Sequence, residues 1–193
     1  MKINKILIGT HNKGKFKEIG QLLSKNIKKV SPVTLKIKSP KETGKNFKDN
    51  ATLKANYFFK KSKIPVISDD SGLEIFSLKK KPGIYSARWA KKYGGFKNAM
   101  KRILIDLKNK KNRNAQFVCS LALRLNNKKY YVVEGKKKGI ISKKILGERG
   151  FGYDPIFIPE GKTKTFGQIP QSNKMRIDHR FLAFKKLKKK IKI

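Results

Sequence analysis

The chain has 193 residues, with 50 Lys and Arg against 12 Asp and Glu and a formal net charge of +38. This length suits one domain with a sizeable core, and we predict a single domain over residues 1–193. One cysteine, Cys119, excludes an intrachain disulfide and a cysteine-based metal motif, and it is predicted to fill the core. No apolar stretch is long enough to span a bilayer, and the apolar N-terminal run is too short for a secretory signal. These features predict a cytoplasmic protein.

Clustered basic residues are the electrostatic mark of proteins that bind a phosphate backbone. Here the basic residues are spread along almost the whole chain, and Lys far outnumbers Arg. The sequence has no helix-turn-helix, zinc-finger or stacking-aromatic pattern. A base composition that favours Lys, Asn and Ile codons explains such a spread. We therefore predict no specific nucleic-acid partner and no membrane partner, with only weak attraction of polyanions.

The predicted elements alternate between strand and helix, without a linker or a repeat. Strands are predicted over residues 5–9, in a run that ends at Asp69, and over 116–125 and 129–135, with a turn at Asn126-Asn127 between the last two. The spacing of apolar residues predicts helices that begin near Gly14, Phe47, Phe96 and His179. This alternation is typical of the α/β class.

The acidic segment after the apolar run 64–67 is the most informative stretch. Asp69 and Asp70 are adjacent, and Glu74 follows four residues later. Apolar residues followed by two carboxylates predict a buried strand that delivers acids to its carboxyl end, where ligands bind in open α/β sheets. Such acids can hold a divalent cation or position a water for attack. The alternative is a solvated turn in which Asp69 caps the next element.

Three other loops combine unusual residue types. Residues 9–15 bring hydroxyl, amide and ammonium groups to a helix start, which suits a phosphate chain, although a capped helix start would satisfy the same residues. In 147–157, glycines permit close approach of a ligand, and Phe151 and Tyr153 offer rings that could stack on it or fill the core. In 172–180, His179 and Arg180 near Lys174 could bind an anion or a base edge.

These segments belong to a longer series of sequence blocks. In the first part of the chain the blocks are 10–15 with Glu18, then Glu42-Thr43-Gly44, and then Phe47, Asn50-Ala51 and Lys54-Ala55. The later blocks are 68–74, 82–88, 150–157, 161–163 and His179-Arg180. Together they resemble the inosine/xanthosine triphosphate pyrophosphatase family, whose enzymes remove deaminated purine nucleoside triphosphates. The blocks follow the family's order from end to end. One block could be accidental, but the set is highly specific.

The resemblance implies an α/β fold with an elongated central mixed β-sheet, flanking helices and two lobes around a nucleotide-binding cleft. It implies a homodimer that needs magnesium and converts a purine nucleoside triphosphate and water into the monophosphate and pyrophosphate. ITP, dITP and XTP would be the substrates, so the enzyme would cleanse the nucleotide pool.

By position, the resemblance also implies site residues. Asp70 would be the general base and a metal ligand, and Glu42 the second metal ligand, although Asp69 could take either part of Asp70. The substrate would be bound by Thr10, His11, Asn12, Lys13, Gly14 and Lys15 around the triphosphate, by Ser71, by Phe151, Gly152, Tyr153 and Asp154 around the purine, and by Lys174, His179 and Arg180 at the base. His11 is at a variable position and has no catalytic role. Asp178 replaces the family's usual Ser, and Lys41 stands where an acid is frequent.

Two other hypotheses remain. A Maf-like pyrophosphatase that acts on modified pyrimidines is disfavoured by the Phe-Gly-Tyr-Asp and His-Arg segments. A basic RNA-binding protein that has lost catalysis is disfavoured by the joint presence of Glu42, Asp70, Lys15 and Lys174.

Overall fold

The structure is a computed structural model, and it describes residues 3–191. Across these residues it contains seven strands, six α-helices and short 3-10 turns. The strands are β1 (Lys5–Ile8), β2 (Lys28–Val30), β3 (Val66–Ile75), β4 (Lys81–Pro82), β5 (Asn114–Arg124), β6 (Tyr130–Ile141) and β7 (Phe157–Pro159). The helices are α1 (Lys13–Leu22), α2 (Phe47–Ser62), α3 (Ser86–Lys92), α4 (Phe96–Asp106), α5 (Gln171–Lys174) and α6 (His179–Lys190).

The strands form one mixed sheet in the order β2-β1-β3-β5-β6-β7, with β4 paired to β3. β1 runs parallel to β2 and to β3, with Ile8 opposite Ile67. β4 and β7 run antiparallel to β3 and β6. Parallel neighbours need crossover connections, and α1 and α2 provide them. The predicted α/β class with a central mixed sheet and flanking helices is confirmed.

The chain divides into two compact units. Within the described residues, the first unit comprises 3–70, 119–135 and 180–191, and the second comprises 71–118 and 136–179. Successive side chains of a strand point to opposite faces, and in the first unit both faces are apolar. Ile8 and Ile67 join a core cluster with α1 and α6, whereas Leu7 and Val66 join a cluster with α2. Helices on both faces explain why β1 reads as a continuous apolar run.

The second unit has its own core. Leu73 and Ile75 of β3 pack in one cluster with Ile103 of α4 and with Phe157 and Phe166. α4 presents Ala99, Met100 and Ile103 at helical spacing, as the sequence predicted, and its C-cap Leu107 continues the same buried face. In the first unit, Cys119 is fully buried, as predicted.

One prediction was wrong in a way that affects the site. β3 does not end at Asp69 but continues to Ile75. Its pairing with β1 stops at Ile67, because β1 ends at Ile8, while β5 and β4 remain as its neighbours. The two acids therefore lie in mid-strand, two and three residues past the last β1 pair, and both are buried. The solvated-turn alternative is wrong as well.

Other differences concern short elements. The predicted helices of α1, α2, α4 and α6 are confirmed, as are the strands β1 and β5 and the hairpin turn. β6 extends six residues beyond the predicted end at 135. β2, β4, β7, α3 and α5 were not predicted, because elements of two to seven residues leave too little periodicity to detect.

No helix among residues 3–191 has both the length and the apolar character needed to cross a membrane.

Candidate active site

The turn from β1 into α1 is a capped helix start. Asn12 is the N-cap, and its Oδ1 accepts a hydrogen bond of 3.0 Å from the backbone N–H of Lys15. Thr10 Oγ1 accepts from the backbone N–H of Asn12 at 3.2 Å. Gly9 is required here, because a Cβ at that position would lie 2.1 Å from Ser68 Oγ and 2.7 Å from the Phe58 ring. The side chains of 10–13 are left at the surface or half-buried.

Asp69 is held between two cations. Its Oδ2 lies 3.1 Å from Lys15 Nζ and 3.2 Å from Arg180 Nη2. The same guanidinium also pairs with Glu18 of α1. Asp69, Glu18 and Arg180 are all at most 2% exposed, so α1, β3 and α6 meet at a buried ionic contact.

Asp70 takes part in a second contact, with α2. Lys54 Nζ lies 2.6 Å from Glu42 Oε1 and 3.4 Å from Asp70 Oδ1. Asn50, one helical turn before Lys54, donates from Nδ2 to Asp70 Oδ2 at 3.2 Å. Each oxygen of Asp70 thus has its own partner on α2, and Glu42 reaches the same ammonium from the loop before the helix.

The two adjacent aspartates have opposite pKa shifts. Burial alone would raise the pKa of Asp69, but Lys15, Arg180 and Lys54 outweigh it and hold this pKa well below its usual range. Burial raises the pKa of Asp70 above its ordinary value; Lys54 and Lys15 oppose this rise, and Glu42 and Asp69 add to it. Burial lowers the pKa of Lys54, but the nearby carboxylates reverse this and raise it. Asp69 is therefore a fixed anion, and Asp70 is the more basic carboxylate.

These ion pairs form two sets, one around Asp69 and one around Asp70, which are neighbours in β3. We call the seven side chains of the two sets the acid network: Lys15, Glu18, Glu42, Lys54, Asp69, Asp70 and Arg180. It contains four carboxylates and three cations, so it carries an excess negative charge in a chain of net charge +38. Among residues 3–191 no group of three or more His, Cys, Asp and Glu side chains is arranged to hold a metal ion. Mg²⁺, however, is commonly held by one or two carboxylates together with substrate phosphates. Glu42 and Asp70, which share one ammonium, fit that donor set.

The second unit places its glycine loop around a buried ion pair. Lys174 Nζ lies 2.6 Å from Asp154 Oδ2, and their side chains are only 1% and 3% exposed. The same oxygen accepts from the backbone N–H of Phe151 at 2.8 Å. Gly150 has φ +76°, and a Cβ there would lie 2.1 Å from Asp154 Oδ2. Only glycine therefore allows the loop to close on this carboxylate.

Aromatic rings enclose the ammonium of Lys174. Its Nζ lies 4.9 Å from the Phe151 ring centroid and 5.6 Å from that of Phe166, which are cation–π distances. We call Phe151, Asp154, Phe166 and Lys174 the Lys174 cluster. Phe151 is half-buried, whereas Phe166 belongs to the core. Phe151 is thus the member of this enclosure nearest to solvent.

Tyr153 and His179 are packed as core residues. The Tyr153 hydroxyl donates to the Ser86 carbonyl at 2.9 Å, and its ring meets Phe96 edge to face. Burial, with a smaller contribution from Tyr93, raises the pKa of Tyr153. The His179 ring stacks on Phe117 at 4.8 Å and 15°.

Comparison with known proteins identifies the family. The model of the Ham1 family matches residues 6–190. The chain belongs to the Ham1 family. The "dITP/XTP pyrophosphatase" of Caulobacter vibrioides is 41% identical over 95% of this chain and 96% of its own length. The protein of the same name from Bacillus subtilis is 39% identical over 95% of this chain and 94% of its own. A solved Ham1 protein structure from Coxiella burnetii matches with a TM-score of 0.87 and 31% identity, covering 97% of this chain and 98% of that one.

The predicted site residues of this Ham1 protein fall into two groups. Those in the first unit are Thr10, His11, Asn12, Lys13, Gly14, Lys15, Glu42, Asp70 and Arg180, and those in the second are Ser71, Phe151, Gly152, Tyr153, Asp154, Lys174 and His179. Within the first unit, the acid network includes Lys15 and Arg180 on Asp69, and Glu42 and Asp70 on Lys54. His11 is exposed, and its Nδ1 contacts Ser39 Oγ at 2.6 Å. Ser71 is half-buried in β3.

Sequence reasoning gave no role to three residues that organise the carboxylates. Glu18, Asn50 and Lys54 were only parts of matching blocks, yet each contacts a predicted site acid or its partner. The helical spacing could have indicated two of them. Asn50 and Lys54 are four residues apart on the face of α2 that also carries Phe47, Ala51 and Phe58, and a polar residue on an apolar face needs a buried partner.

Proposed function

We propose that this chain is a nucleoside triphosphate pyrophosphatase that hydrolyses deaminated purine nucleotides, ITP, dITP and XTP, to the monophosphate and pyrophosphate. The acid network carries the proposal, because it puts two adjacent carboxylates of opposite pKa shift beside a capped helix start. Separate pKa values for neighbouring acids are a mark of acid–base chemistry. The names of the relatives from Caulobacter and Bacillus support the same substrate class.

The start of α1 would hold the triphosphate. The helix N-terminus offers backbone N–H groups and a positive dipole end, and Lys13 and Lys15 add two ammonium groups. Lys15 already contacts Asp69, with 16% of its side chain exposed. A phosphate oxygen can therefore share this lysine without exposing Asp69.

Asp70 would accept the proton of the attacking water. Its raised pKa suits a proton acceptor, whereas Asp69 is committed to two cations. Glu42 and Asp70 would hold Mg²⁺ with the substrate phosphates. When bound, Mg²⁺ would neutralise the charge that develops on the phosphate oxygens. Lys54, between the two acids, would then be available to a phosphate oxygen.

The Lys174 cluster would recognise the base. The ammonium of Lys174 donates hydrogen bonds, which match the 6-oxo acceptor of inosine and xanthosine and not the 6-amino group of adenine. Because Phe151 covers this ammonium, its ring must turn aside and could then stack on the purine. His179 would add to the same recognition from its place against Phe117.

Arg180 is given a different part from the one that the resemblance implies. Its guanidinium is 1% exposed and is used on Glu18 and Asp69. We assign it to fixing Asp69 as an anion and to holding α6 against α1 and β3. A homodimer and a cytoplasmic location complete the proposal, the latter because nucleoside triphosphates are made and used inside cells.

The test is a panel of triphosphates (ITP, dITP, XTP, GTP, ATP and dTTP) incubated with Mg²⁺, with pyrophosphate and phosphate measured separately. We expect pyrophosphate from ITP, dITP and XTP at rates far above those for ATP and dTTP. Release of orthophosphate in place of pyrophosphate, or a preference for modified pyrimidines, would contradict the proposal. Tight and sequence-selective RNA binding without any hydrolysis would favour the RNA-binding hypothesis.

A further inference from the structure

Asn50 is a buried polar residue with both ends of its side chain in use. It is 0% exposed in α2. Its Oδ1 accepts from the backbone N–H of Gly44 at 2.8 Å, and its Nδ2 donates to Asp70 Oδ2 at 3.2 Å. A backbone N–H can only donate, so the amide oxygen must face Gly44, and the amide nitrogen must then face the carboxylate. The two contacts fix the amide in one orientation.

The contact at Gly44 controls the loop that carries Glu42. A Cβ on Gly44 would lie 2.6 Å from Asn50 Oδ1 and 2.8 Å from the Asn50 backbone nitrogen. The loop backbone is therefore pressed directly onto Asn50, two residues after Glu42. Glu42, in turn, reaches Lys54 at 2.6 Å. Asn50 thus links the backbone next to one site acid to the carboxylate of the other.

The two oxygens of Asp70 have different partners on α2. Asn50 holds Oδ2 and Lys54 holds Oδ1, from successive turns of the same helix. Lys54 carries a flexible four-carbon chain and a charge that a phosphate can attract, whereas Asn50 is short and fully enclosed. If Lys54 turns to a phosphate oxygen, as the proposed function requires, Asn50 is the contact on α2 that still holds the Asp70 carboxylate.

We propose that Asn50 is a positioning residue, which sets the orientation of Asp70 and its place relative to Glu42 for the hydrolysis of the triphosphate. This inference rests on the proposed function, because it concerns the geometry of the same reaction. A misplacement of about 1 Å at a reacting group can lower a rate about 10²-fold. The effect should fall on kcat, since Asn50 is buried and has no route to the substrate.

The main variant is Asn50→Asp, which keeps the shape and the acceptor for Gly44 but replaces the donor to Asp70 by a carboxylate. Asn50→Ser, smaller and uncharged, is the second variant. Asn46→Asp is the matched control: Asn46 is the N-cap of the same helix, its Oδ1 accepts from Asp49 at 2.9 Å, and Asp caps helices equally well. Circular dichroism and thermal unfolding establish that each variant is folded at the assay temperature.

We expect kcat for ITP to fall about 10²-fold in Asn50→Asp and at least tenfold in Asn50→Ser, with KM and the affinity for a non-hydrolysable triphosphate within about threefold of wild type. Asn46→Asp should keep wild-type kcat. A folded Asn50 variant with kcat within threefold of wild type would overturn the inference, as would a loss confined to KM. Unfolding of both Asn50 variants would overturn it too, since the two bonds would then serve folding alone. If the wild-type enzyme itself releases no pyrophosphate, the proposed function fails instead.

Discussion

The acid network and the Lys174 cluster are both built around buried ion pairs, but they differ in the balance of positive and negative charge. In the network, Arg180 and Lys54 each contact two carboxylates, and Asp69 contacts two cations. The Lys174 cluster pairs one ammonium with one carboxylate between two rings. The network thus has spare negative charge and several possible pairings, whereas the cluster is balanced within itself.

The two regions also differ in how far their charged side chains are exposed to solvent. The network reaches solvent at Glu42, with 31% of its side chain exposed, and at Lys15, with 16%. Lys174 and Asp154 are almost fully enclosed. Charged side chains that reach solvent could exchange partners with the triphosphate and the cation of the proposed reaction. An enclosed pair has fewer alternative partners, which suits the base recognition proposed for the Lys174 cluster.

The strongest test of the comparison is Asp70→Asn. The variant would lose the proposed proton acceptor and an anionic ligand for the metal, so we expect kcat to fall by about 10²–10⁴-fold. Because burial raises the pKa of Asp70, its ionised form is less favourable in the folded than in the unfolded protein at neutral pH. Removing the charge should therefore leave the melting temperature unchanged or raise it.

Asp49→Asn is the control, since Asp49 is an exposed acid at the start of α2 and should tolerate the change. Activity of Asp70→Asn within a few-fold of wild type at saturating Mg²⁺ would show that another group takes the proton. Asp69→Asn would then be the next variant to assay.

The second test removes the cation that two buried acids share. Arg180→Ala leaves Glu18 and Asp69 in place without their guanidinium, and breaking a buried ion pair in this way typically costs about 3–5 kcal/mol. The matched control is Arg102→Ala. Arg102 pairs with Asp106 at 2.9 Å on the exposed side of α4, so this change should lower the free energy of unfolding by less than about 0.5 kcal/mol. Urea denaturation measures both. Equal, small losses would mean that the network contributes little to folding.

The third test compares the two regions through substrate choice. Lys15→Gln should raise KM for ITP and ATP by similar factors, because Lys15 would contact the triphosphate that both share. Lys174→Gln keeps one donor for Asp154 but removes the ammonium, so we expect the preference for ITP over ATP to fall about tenfold or more. Competition kinetics with both nucleotides measures the ratio directly. An equal loss of preference in the two variants would show that the base and the phosphates are not read separately.

Sequence patterns predicted the framework better than the contacts of the site. Apolar periodicity indicated α1, α2, α4 and α6, because each buries one face. The end of β3 was misplaced, because polar residues such as Ser68 and Asp69 resemble a strand end unless their buried partners are known. Arg180 shows the same limit: adjacency to His179 suggested one shared role, yet its guanidinium contacts acids from α1 and β3, which only the fold brings to it.

The smallest effect is expected at Tyr153. This residue lies in the second unit, next in sequence to Asp154 of the Lys174 cluster. Tyr153→Phe loses the hydrogen bond to the Ser86 carbonyl, which costs about 1 kcal/mol of unfolding free energy at pH 8.

The difference in unfolding free energy between wild type and Tyr153→Phe should become smaller at alkaline pH. The pKa of Tyr153 is raised in the folded protein, so above the ordinary tyrosine value of about 10 the unfolded chain releases this proton and the folded one keeps it. The unfolded state then binds fewer protons, and wild-type stability falls with rising pH by up to about 1.4 kcal/mol per pH unit through this group. The variant lacks this loss, so the difference of about 1 kcal/mol should close near pH 11. Urea denaturation of both proteins at pH 8 and pH 11 measures it, with Tyr85→Phe as the control because Tyr85 is exposed. A difference that stays constant over this range would show that Tyr153 ionises with equal ease in the folded and unfolded chains.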